Sequence, residues 1–129
     1  CTGLTCALQF ARKELHLGKL ECTGLDGFFG GSVYSGDVVE NGKPAPDLFL
    51  HSAKQMGGHD PVRCIVVEDS VNGVLGGKAA GMFTIGFMGG AHAIGNHAQS
   101  LKNAGADWIA DDHARLRSWL TANTNAIAA

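Results

Sequence analysis

The run Arg63-Cys64-Ile65-Val66-Val67-Glu68-Asp69-Ser70 decides the fold. Cys64 to Val67 is apolar and β-branched with no polar alternation, which suits a strand buried on both faces, as in a parallel sheet. Two carboxylates end it, and Asp69-Ser70 opens a helix. Val71, Leu75, Ala79 and Met82 mark that helix's expected buried face, and Gly81 closes it.

Outward from this unit the alternation continues. Downstream, Phe83-Thr84-Ile85-Gly86-Phe87 reads as a strand, about Ala93 to Ala104 as a helix, and Trp108-Ile109-Ala110 as a short strand. A last helix near His113 to Leu120 is expected to bury Leu116, Trp119 and Leu120, with a flexible tail over 121–129. Upstream, Pro46-Asp47 starts a helix whose Phe49, Ala53 and Met56 share one stripe, ending at Gly57-Gly58. Asp37 to Pro46 is loop, because Gly42, Pro44 and Pro46 forbid regular pairing, and Ser32 to Ser35 is strand-like. Ala7 to Leu20 reads as helix, with Leu8, Ala11 and Leu15 on one face. Strands alternating with helices over short loops define a parallel α/β sheet.

Composition narrows the function. The 129 residues fit one domain, with 45% hydrophobic and 17% charged residues. A net charge of -2 without a basic run asks for no nucleic acid and no anionic membrane surface. No apolar run approaches the roughly 20 residues that span a bilayer. Cys1, Cys6, Cys22 and Cys64 form no CxxC pair, so reduced thiols in a cytoplasmic protein are expected. The chain opens on Cys1 without a methionine and reads like a piece of a longer protein.

Two motifs carry chemistry. Glu68 and Asp69 sit where a buried strand meets a helix, and α/β sheets bind ligands outside the carboxyl ends of their strands. Adjacent carboxylates repel unless a cation neutralises them, and magnesium commonly takes one or two carboxylates with phosphate and water. Alternatively, Asp69 merely caps the helix and Glu68 faces solvent. In Asn41-Gly42-Lys43-Pro44-Ala45-Pro46-Asp47, prolines fix the backbone around Ala45, which suits holding the Lys43 ammonium in one place. The plain alternative is an exposed lysine beside a helix start. Taken together, Lys43 and the acidic pair each follow a strand, so they share one edge of the sheet, and such a set fits phosphoryl transfer.

Gly42-Lys43-Pro44-Ala45-Pro46-Asp47, Val66-Val67-Glu68-Asp69-Ser70, Gly73 and Ala79-Ala80-Gly81-Met82 resemble the third and fourth motifs of haloacid-dehalogenase-like hydrolases, nearest the β-phosphoglucomutase-like and sugar-phosphatase branch. The resemblance runs from about Thr23 to Leu120. It implies a three-layer, Rossmann-like α/β core around a parallel sheet, incomplete in this chain. It implies a magnesium-dependent phosphatase acting on a small phosphorylated metabolite, a sugar phosphate above all, through an aspartyl-phosphate. Lys43 would contact the phosphoryl group and nucleophile, Asp69 would ligate magnesium, and Glu68 would help directly or through water. A phosphomutase shares these motifs, and a non-catalytic chain on the same fold is the third reading.

The departures from that pattern are specific. The family's first motif, an aspartate nucleophile with an aspartate two residues on, is absent, as is the cap domain. Leu25-Asp26-Gly27 is a look-alike, but Gly24 stands two residues before Asp26. Thr2 and Thr5 are the candidates for the second-motif hydroxyl. His92 and His97 stand five residues apart on different helix faces and read as surface polar residues in place of metal ligands. Gly86 to Gly90 lacks a phosphate-loop pattern, Asp111-Asp112 reads as a helix cap, and Trp108 and Trp119 as packing.

Overall fold

The computed structural model describes residues 8–10, 20, 22–90 and 95–128. Five strands alternate with helices: β1 (Leu8–Phe10), β2 (Val33–Ser35), α1 (Asp47–Gln55), β3 (Ile65–Glu68), α2 (Val71–Ala79), β4 (Phe83–Phe87), α3 (His97–Asn103), β5 (Trp108–Ala110) and α4 (His113–Ala128). Among the described residues every strand pairing is parallel, with Ile65 opposite Phe83, Ile85 opposite Trp108 and Leu8 opposite Val33. The strands fall into a two-stranded sheet, β1-β2, and a three-stranded sheet, β3-β4-β5.

The layers follow from the pleat of β4. Thr84 and Gly86 face α2 and α3, since a Cβ at Gly77 would lie 2.7 Å from Thr84 Oγ1 and one at Gly86 would lie 3.1 Å from Leu101 Cβ. On the opposite face Phe83 stacks on Trp119 of α4, with ring centroids 5.1 Å apart, and Trp119 stacks on Trp108 at 5.6 Å. Phe49 and Ala53 of α1, Val66 of β3, and Ala80 and Met82 around the end of α2 form one buried cluster.

Several expectations change. Leu8–Phe10 is strand, because it finds a parallel partner in β2; Ala11 and Leu15 lie outside the described residues, and Leu20 is helical. The buried face of α2 is Gly73, Val74, Gly76 and Gly77, while Val71 and Leu75 are exposed. The helix lies too close to its neighbours for larger side chains there: a Cβ at Gly77 would come 2.7 Å from Thr84 Oγ1 of β4, and one at Gly76 would come 2.8 Å from the Phe49 ring of α1. Met56, at the end of α1, is only half-buried. Val66 is buried but Val67 is 42% exposed: among the described residues β3 is the edge of its sheet, and α4 covers β4 and β5 on that face. The last helix, α4, runs on to Ala128, past the expected end near Leu120, with Thr121 Oγ1 donating to the Arg117 carbonyl at 2.9 Å. Leu116, Trp119 and Leu120 are half-buried along it.

Candidate active site

Lys43, Glu68 and Asp69 meet at the carboxyl end of β3. The loop carrying Lys43 is tied at both ends. The Asn41 backbone N–H and side-chain amide donate to Asp47 Oδ2 at 3.2 and 3.1 Å, and the Ala45 N–H donates to the Gly42 carbonyl at 3.0 Å. The Lys43-Pro44 peptide is cis. This tether sends the Lys43 ammonium over the Phe49 ring, 5.0 Å from its centroid, and onto Glu68 Oε1. The ion pair is largely buried, with the lysine side chain 17% and the glutamate side chain 11% exposed. Lys43 is therefore no surface lysine, and Glu68 does not face solvent.

Ser70 settles the capping question. It has extended backbone just before α2, and its Oγ accepts from the Gly73 N–H at 3.0 Å. The same hydroxyl donates to Glu68 Oε2 at 3.2 Å. Glu68 thus has one oxygen on Lys43 and the other on Ser70. Gly73 faces this carboxylate so closely that a Cβ there would run into it. Asp69 takes no part in the cap. It is exposed, and among the described residues its carboxylate has no hydrogen-bond partner. The cation that relieves repulsion between the two acids is, first, Lys43 itself.

His97, expected at the surface, is half-buried and lies against the site. Its Nε2 donates to the Asp69 carbonyl oxygen at 2.7 Å. No sequence spacing announces this contact, because it bridges two βα turns. His92, Thr2 and Thr5 lie outside the described residues. Asp26 belongs to a short 3-10 turn, Asp26–Phe28, in keeping with a turn and not with a nucleophile. Asp112 Oδ1 accepts from the Arg115 N–H at 2.8 Å and so caps α4, while Asp111 pairs with Arg115.

Two thiols lie among the described residues. Cys64 sits at the opposite end of β3, and burial first, then Asp60, raises its pKa above the ordinary thiol value. Cys22 is a free, exposed thiol. Among the described residues no three His, Cys, Asp or Glu side chains cluster as a ready-made metal cage. No described helix is long and apolar enough to cross a membrane. The residues present still fit a hard cation of the magnesium type. Asp69 offers a carboxylate that is unpartnered among the described residues at a strand end, with Glu68 beside it, and magnesium takes most of its shell from water and phosphate.

Comparison with known proteins places this geometry in a family. The profile of the haloacid dehalogenase-like hydrolases matches residues 7–81. The chain belongs to the haloacid dehalogenase-like hydrolase family. It is 53% identical over 49 residues to a bifunctional riboflavin kinase/FMN phosphatase of Arabidopsis thaliana, covering 38% of this chain and 13% of that protein. It is 29% identical over 93 residues to a phosphonoacetaldehyde hydrolase of Pseudomonas fluorescens, covering 72% of this chain and 34% of the relative. A Deinococcus radiodurans hydrolase of the family, solved with phosphate and sodium, superposes with a TM-score of 0.81 at 34% identity over 95% of this chain and 55% of its own. A putative β-phosphoglucomutase from Thermotoga maritima gives a TM-score of 0.74 at 27% identity, over 89% of this chain and 51% of its own. The chain therefore spans about a third or less of these curated relatives and about half of the solved ones.

Proposed function

We propose that this chain supplies the lysine and the acidic residues of a magnesium-dependent phosphatase for a small phosphorylated metabolite, with a sugar phosphate the leading class. The observation that carries the reading is the convergence at one strand end of Lys43, Glu68 and Asp69, whose carboxylate has no hydrogen-bond partner among the described residues. Phosphoryl transfer asks the protein mainly to position groups and to neutralise charge. Lys43 holds a cation in a partly dry place, where it counts for more than in water. Glu68 orients that ammonium, and Ser70 orients Glu68. Asp69, with Glu68 beside it, would hold a magnesium ion, which when bound offsets phosphoryl charge.

The aspartate nucleophile lies, in this reading, on a strand outside the chain, between β1 and β3. The separation of the two sheets and the unpaired edge of β3 among the described residues, with the exposed Val67, support that placement. The relative named as a bifunctional riboflavin kinase/FMN phosphatase and the relative solved with phosphate support a phosphorylated substrate. The likeness to a β-phosphoglucomutase favours a phosphomutase as the second reading.

Steady-state release of inorganic phosphate from sugar phosphates, measured on the intact protein, tests both. Magnesium-dependent release, abolished by chelation and by Asp69→Asn, is the expected result. Phosphate moved within the sugar and never released points to the mutase. Turnover indifferent to magnesium and to Asp69→Asn rejects the site.

A further inference from the structure

We infer that His97 is a positioning residue for Asp69, holding the direction of its carboxylate through the backbone; this rests on the reading of Asp69 as a magnesium ligand. Asp69 stands between two regular elements. The ladder of β3 with β4 ends at Glu68 opposite Gly86, and the first turn of α2 begins with the Val74 N–H on the Ser70 carbonyl. The Asp69 carbonyl belongs to neither. His97 Nε2 reaches it at 2.7 Å. A carbonyl oxygen can only accept, so Nε2 carries the proton and the ring is the donor. Holding that oxygen fixes the plane of the Asp69-Ser70 peptide, and with it the angle at which the Asp69 side chain leaves the chain.

A second contact comes from the same segment. A Cβ at Gly90 would lie 3.2 Å from Asp69 Oδ2, and Gly90 has no positive φ to explain the glycine. The missing side chain leaves the carboxylate its place. The connection after β4 therefore touches Asp69 twice: Gly90 borders its carboxylate and His97 holds its carbonyl. Groups that orient a metal-binding carboxylate typically change metal affinity by about 10- to 100-fold when removed. A histidine that only pinned α3 to the loop would change stability and leave affinity alone.

The test is calorimetric titration of the intact protein with magnesium chloride, alongside thermal unfolding in chelator. Wild type, Asp69→Asn, His97→Ala and His97→Gln are compared. The expected result is a loss of magnesium affinity of about tenfold or more in His97→Ala, largely recovered in His97→Gln, whose amide still donates. Wild-type affinity in His97→Ala, with affinity lost in Asp69→Asn, overturns the inference and leaves the metal site standing. Wild-type affinity in Asp69→Asn overturns both. Should His97→Ala fail to fold, His97→Asn decides, because its amide is too short to reach the carbonyl. Wild-type affinity there overturns the inference, and a loss of about tenfold supports it.

Discussion

Lys43 and Glu68 are coupled closely enough that neither can be removed cleanly. Both side chains are mostly buried, so deleting one leaves the other charged and unpaired, at a cost of about 3 to 5 kcal/mol. Lys43→Met and Glu68→Leu should each destabilise the intact protein by several times more than a surface substitution. The double variant should lose less than the sum, because no charge is stranded. Denaturant titration of all four proteins checks this, and strict additivity would dissolve the pair. Catalysis gives a second reading of the same residue. Lys43→Ala should lower kcat by about 10²-fold or more, the scale for one preorganised donor, with a smaller change in KM. Stability measured beside kinetics separates the two effects.

At the scale of elements, α2 shows why a glycine-rich helix is the one that carries the site. Its four buried residues are Gly73, Val74, Gly76 and Gly77, so the helix lies almost on the sheet. That closeness sets Gly73 against the Glu68 carboxylate, which the N-cap Ser70 also reaches. Gly77→Ala is the informative substitution. Alanine gains about 1 kcal/mol of helix propensity. Against it, the new Cβ would meet Thr84 Oγ1 at 2.7 Å and Val66 Cγ1 at 3.2 Å, both on buried residues. Overpacking of this kind costs about 1 to 3 kcal/mol, so the net effect should be destabilising. An alanine variant as stable as wild type, by denaturant titration, would mean that α2 has room to lift off the sheet.

For the whole molecule, the division into β1-β2 and β3-β4-β5 sets local stability. Among the described residues β4 has a neighbour on each side and its Ile85 is fully buried, whereas β3 has one neighbour and leaves Val67 exposed. Hydrogen exchange on residues 1–129 alone should protect Ile85 far better than Val67. In the intact protein, protection should extend across Ile65 to Val67 as that edge gains a strand. Equal protection of β3 and β4 in the chain alone would remove the case for a strand from outside. The same chain alone should release no phosphate, because the proposed aspartate nucleophile is not part of it.

The order of strands and helices after residue 30 was legible in the chain itself, because apolar periodicity and Gly/Pro punctuation are local signals. Phe83–Phe87 and Trp108–Ala110 fall where those signals put them. So were Lys43, Glu68 and Asp69, since their types and spacing carry a recognisable motif. The tertiary structure alone decided how they interact. It made Glu68 the partner of Lys43, twenty-five residues away, and gave the cap to Ser70, leaving the Asp69 carboxylate without a hydrogen-bond partner among the described residues. It chose the glycine face of α2 over the larger apolar stripe of Val71 and Leu75, and made Leu8–Phe10 a strand. It also brought His97 onto the Asp69 carbonyl. Each of these depends on how closely distant segments approach, and a one-dimensional pattern holds positions along the chain, not the distances between them.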